Sequence, residues 1–66
     1  MPDKDCEEAC IQAYQESVKN CSRVLFDGLA TAKTDAEREK STERFKLCMQ
    51  LCKDTRKACL EACNQQ

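Results

Sequence analysis

Residues 6–28, CEEACIQAYQESVKNCSRVLFDG, and residues 41–63, STERFKLCMQLCKDTRKACLEAC, decide the fold. In the first stretch Cys10, Tyr14, Ser17, Cys21, Val24 and Gly28 follow one another at alternating steps of four and three. In the second, Ser41, Phe45, Cys48, Cys52, Thr55, Cys59 and Ala62 do the same. Such steps keep side chains on one narrow line of an α-helix, the seam by which one helix packs lengthwise on another as in a coiled coil. Each stretch therefore predicts a long helix whose seam is made of cysteines and mostly small residues.

Between the two stretches, Thr34-Asp35-Ala36-Glu37 is a Thr-x-x-Glu capping box. In it Thr34 satisfies the amide of Glu37, and Glu37 reaches back to the start of the second helix. Pro2 and Asp3, followed by Asp5, Glu7 and Glu8, place a fixed φ and negative charge where a first helix begins. The spans read as helix one over about 5–32, a turn over about 33–35 and helix two over about 35–64, a single helical-hairpin domain in residues 1–66. Gly28, the one glycine, reads either as a left-handed cap that closes helix one early and leaves 29–33 as loop, or as a position inside helix one where two backbones approach closely; the seam running through it favours the second. One proline and 35% charged residues complete an all-α composition.

A core this small rarely supplies more than about 3–5 kcal/mol, so a staple is expected. Seven cysteines among 66 residues provide it. In an antiparallel hairpin, facing residues have position numbers with a constant sum. Cys6 with Cys63, Cys10 with Cys59 and Cys21 with Cys48 all total 69, which centres the hairpin beside the capping box. The same register sets Tyr14 against Thr55, Val24 against Phe45, Gly28 against Ser41, and Glu16 level with Lys53 on the flank. Helix axes about 8–10 Å apart leave seam Cα atoms roughly 4–5.5 Å apart, at the close end of the disulfide range. Cys52 is left over, because its register partner is Ser17, and is expected to be a free thiol. It reads either as a small buried apolar residue or as a redox or intermolecular thiol.

The paired motifs Cys6-x-x-x-Cys10 and Cys59-x-x-x-Cys63 resemble the twin Cys-x3-Cys α-hairpin proteins, among them the small mitochondrial intermembrane-space import chaperones and the plant α-hairpinin peptides. The resemblance implies a disulfide-stapled helical hairpin in which outer cysteines pair with outer and inner with inner, as the common sum also requires. The ladder Cys48, Cys52, Cys59 and Cys63 is also similar to the cysteine ladders of four-helix copper-storage proteins, which implies thiolate binding of Cu(I).

Beside the seams lie Ile11, Val18, Leu25 and Leu29 on helix one and Met49 and Leu60 on helix two. Two helices cannot cover so wide a stripe, so these residues are expected to form a partner-binding surface, either for another protein or for self-association into a four-helix arrangement; the other reading is that they thicken a thin two-helix core. Phe26 and Leu47 fall away from the cysteine face altogether.

Several function classes are disfavoured. No histidine is present to serve as general base or nitrogen ligand. A net charge of −1 offers no footprint for nucleic acid. The basic Lys46, Lys53, Arg56 and Lys57 lie on helix two and read, with the acidic start of helix one, as a solvated face with weak cross-helix pairs. No apolar run exceeds three residues, as at Val24–Phe26, so no membrane span is expected and any targeting segment would lie outside this chain. Oxidised cysteines imply the periplasm, the extracellular space or the mitochondrial intermembrane space. The expectation is a small non-enzymatic structural or protein-binding module without cofactor; its alternative is a thiolate metal-binding or storage protein with Cys48, Cys52, Cys59 and Cys63 as ligands.

Overall fold

The structure, a computed structural model, describes residues 3–65. Pro2, which the sequence places at a helix start, lies outside the described residues. Two helices make up the fold, α1 over Lys4–Thr31 and α2 over Asp35–Asn64, packed against each other along their length with no strand among the described residues.

Local chemistry sets the ends. The Asp3 carboxylate accepts the amides of Asp5 at 3.0 Å and Cys6 at 3.4 Å, satisfying two of the N–H groups a helix start leaves open. At its other end α1 stops at Thr31, and Ala32 turns to an extended conformation. Thr34 then caps α2, its hydroxyl accepting the Glu37 amide at 3.2 Å. The second half of the expected capping box differs: the Glu37 carboxylate accepts the amide of Lys33, at 3.2 Å, rather than that of Thr34. With Thr34 extended at φ −132° and ψ 160°, the carboxylate reaches one residue further back and ties down the turn.

The result is a ribbon whose Cα trace spans 51 × 14 × 7 Å, with a Cα radius of gyration of 15.3 Å. A compact chain of this length would have a radius of about 11 Å. A ribbon one helix thick has no interior beyond its seam. Among the described residues the buried hydrophobic side chains are accordingly Cys10, Cys21 and Cys63, all sulfur.

Near the turn the helices touch through Gly28 and Ser41. A Cβ placed on Gly28 would stand 3.1 Å from the Cβ of Ser41 and closer still to its hydroxyl, so the glycine permits the approach. Val24, although on the seam, is 61% exposed, while Phe45 opposite is half-buried. A straight α-helix drifts about 20° per heptad against a 3.5-residue repeat, and without supercoiling some seam residues turn to the flank.

The weak cross-helix ion pairs expected between the basic residues of α2 and the acidic start of α1 do not form among the described residues, and Glu16 and Lys53, level in the register, do not pair either. Glu16 instead pairs with Lys19 on its own helix at 3.8 Å, and the other ion pair among the described residues, Arg38 with Asp35, is also within one helix. Glu16 comes one residue before its seam position and Lys53 one residue after. In an antiparallel pair these two offsets turn towards opposite faces of the ribbon. Both observed pairs are exposed and contribute little.

Two outcomes test this account. Gly28→Val should destabilise the oxidised protein by about 1–3 kcal/mol in thermal or denaturant unfolding, because the added branches meet Ser41 in a closed contact. Full reduction should lower the helical circular dichroism at 222 nm by about half or more at 25 °C, since bridges worth about 2–4 kcal/mol each outweigh what so thin a seam supplies.

Candidate functional site

Two features carry chemistry: the line of sulfurs between the helices and the apolar residues left outside it. Three disulfides join α1 to α2 as the common sum requires, Cys6–Cys63, Cys10–Cys59 and Cys21–Cys48, with Cα–Cα separations of 5.9, 5.9 and 5.8 Å. These separations lie just above the range expected from bare helix dimensions and near the commonest value for disulfides. Cys52 is free and half-buried.

The sulfurs also approach one another where they are not bonded. Cys21 Sγ lies 3.6 Å from Cys52 Sγ, and Cys10 Sγ lies 3.7 Å from Cys63 Sγ. Both close pairs have position numbers totalling 73, one helical turn out of register with the bonded set. Helical side chains lean towards the N-terminus of their own helix. Cys21 therefore leans towards the level of Ser17, Cys52 leans towards the level of Cys48, and in antiparallel helices the two converge. Six of the seven cysteines were visible in sequence as bonded pairs; these diagonal contacts were not, although a second shared sum was there to be found.

The sulfurs consequently fall into two groups, Cys6, Cys10 and Cys63 at the open end and Cys21, Cys48 and Cys52 at the middle, each with its ligand atoms within 4.8 Å of one another. The ladder Cys48, Cys52, Cys59 and Cys63 is not brought together as one site. Cys48 and Cys52 join Cys21, Cys63 joins Cys6 and Cys10, and Cys59 is bonded to Cys10.

Between the two groups the seam is underfilled. A cavity of about 60 Å³ is lined by Cys10, Ala13, Ser17, Cys52, Thr55 and Cys59, with Tyr14 and Arg56 at its edge. The cause is the small Ser17, whose hydroxyl turns back to the Ala13 carbonyl at 3.0 Å. The Arg56 guanidinium stacks over the Tyr14 ring, 4.4 Å from its centroid. That contact places its charge over the ring face.

The apolar stripe lies on one face. Ile11, Val18, Leu25 and Leu29 each follow a seam position of α1 by one residue, and Met49 and Leu60 do so on α2, so antiparallel packing turns all six to the same side. Val18, Leu25, Met49 and Leu60 are half-buried against the seam, while Ile11 and Leu29 remain 44% and 40% exposed. Phe26, Leu47 and Leu51 are more exposed still. No helix of the described residues is long and apolar enough to cross a membrane.

Compared with protein-family models, curated proteins and solved structures, the chain matches none.

The common register makes a direct test available at Ser17. Ser17→Cys should oxidise to a fourth bridge with Cys52, leaving no free thiol in the native protein. Mass spectrometry of the unreduced chain would show the loss of two further hydrogens, and stability should rise by up to about 2 kcal/mol, the small constrained loop limiting the gain.

Proposed function

We propose that this chain is a non-enzymatic, disulfide-stapled helical hairpin that works as a protein-binding module in an oxidising compartment, with the face of Ile11, Val18, Leu25, Leu29, Met49 and Leu60 as its contact surface. The observation that carries this reading is the inversion of the usual core. Sulfur occupies the interior, whereas Val24, Phe26, Leu47 and Leu51 are 61–72% exposed and the six-residue stripe is only partly covered. Burying one such side chain is worth about 1.5–3 kcal/mol, so a partner segment or a second hairpin laid on this face gains a large driving force. The bridges support the reading from the other side: they link the helices covalently, so the apolar stripe need not be fully consumed in holding them together and stays partly open for a partner. They are also compatible with a periplasmic, secreted or mitochondrial intermembrane-space location.

A second reading, soft-metal binding by the reduced chain, is favoured by the two three-sulfur groups, since thiolates select Cu(I). Titrating reduced protein with Cu(I) against a competing chelator separates the two readings. Tight uptake of several ions per chain with helix retained would favour the metal reading.

Val18→Glu combined with Leu25→Glu tests the contact surface. Association measured by sedimentation, or binding of a captured partner, should weaken at least about tenfold, the equivalent of 1.4 kcal/mol, with the helical circular dichroism of the oxidised protein retained. A wild-type chain that stays monomeric at high micromolar concentration, together with an unfolded double variant, would mean that the stripe serves only the hairpin itself.

A further inference from the structure

The seventh cysteine has no partner in the register of the bonded set, yet its sulfur is 3.6 Å from one that is bonded. We propose that Cys21, Cys48 and Cys52 form an intramolecular thiol–disulfide exchange site, in which the bridge to Cys21 passes between Cys48 and Cys52. The step balances within the chain. The Cys52 thiolate attacks Cys21 Sγ; a Cys21–Cys52 bond forms, the Cys21–Cys48 bond breaks, and Cys48 leaves as the thiolate, taking up the proton that Cys52 gave to solvent. No outside oxidant or reductant is consumed, and the number of bridges stays at three.

Three observations converge on this site. Cys52 Sγ is already in contact with the sulfur it attacks, about 1.5 Å beyond bonding distance. The contact is a product of helix geometry and not of chance placement, because Cys10 and Cys63, displaced by the same single turn, approach to 3.7 Å in the same way. The leaning of both side chains brings the diagonal pair together, which is what a bridge between them needs. Finally, Cys52 has room to swing into line with the bond that breaks. The 60 Å³ cavity adjoins it on one side, and a groove of about 300 Å³ lined by Ser17, Asn20, Cys21, Cys48, Leu51 and Thr55 adjoins it on the other. Cys48, the leaving group, is half-buried and borders that groove, so exchange would present a new thiol there beside exposed Leu51.

The exchange requires a thiolate and a nearby disulfide, and stops in acid. Oxidised protein held at pH 8.5 without added thiol, then quenched into acidic denaturant containing N-ethylmaleimide, reports which sulfur was free at the moment of quenching, whatever its burial. Peptide mapping should find at least about a tenth of the label on Cys48 and the rest on Cys52, with none on Cys6, Cys10, Cys59 or Cys63. Independently, Cys48→Ser should oxidise to three bridges, the third now Cys21–Cys52, and show no free thiol. Label confined to Cys52 in the wild-type chain overturns the proposal, and so does a Cys48→Ser chain that keeps Cys21 and Cys52 reduced.

Discussion

Everything in this molecule hangs on the fixed antiparallel register imposed by three cross-helix disulfides. The bridges at residues 6 and 63, 10 and 59, and 21 and 48 lie along one seam and agree on one alignment of the two helices. A ribbon one helix thick, its Cα trace only 7 Å deep, cannot enclose a hydrophobic core, so burial alone would leave the helices poorly held. The covalent links replace that missing core. They also explain its composition: the buried hydrophobic side chains among the described residues are cysteines, and a seam of such small residues lets the helices come close enough to be linked.

Stapling the seam has a consequence for the surface. In most small helical domains the apolar side chains are consumed in holding the helices together. Here that work falls on sulfur, and the leucines, valine and isoleucine beside the seam, with Phe26 farther round the helix, are left half-covered or open. The two faces of the ribbon differ as a result. Residues one step after each seam position are apolar at six places, whereas those one step before are largely alanine, polar or charged, with Leu47 and Leu51 the exceptions. The proposed contact surface and the proposed exchange site follow from one cause, the assignment of the interior to cysteine.

Cys52 shows how finely such a seam is poised. Helical lean brings Cys10, Cys21 and Cys63 each near two others, a level partner and one a turn away, so the sulfur line carries a second possible pairing beside the bonded one. The bonded set satisfies six cysteines in one register. The contacts Cys21···Cys52 and Cys10···Cys63 trace the other. The underfilled stretch at Ser17 lies where the bonded register puts no sulfur opposite Cys52, and the space beside that thiol is the same gap.

By itself the sequence determined the helical period, both helix starts, the place of the turn and the bonded pairs. Each of these is one-dimensional: steps of three and four name a face, Asp3 and Thr34 carry caps within a few residues, and facing positions in a hairpin add to a constant. For Gly28 the sequence narrowed the choice to an early cap or a close approach on the seam, and the structure decides for the second, with α1 running on to Thr31. What the tertiary structure alone decided depends on rotation about the helix axes and on the lean of side chains, neither of which addition can see. Val24 and Phe45 share a level but differ in burial, Glu16 and Lys53 share a level but lie on opposite faces, and Arg56 settles on Tyr14. The same geometry splits the ladder Cys48, Cys52, Cys59 and Cys63 between two sulfur groups and sets Cys52 against Cys21, because that contact exists only when two leaning side chains converge across the seam.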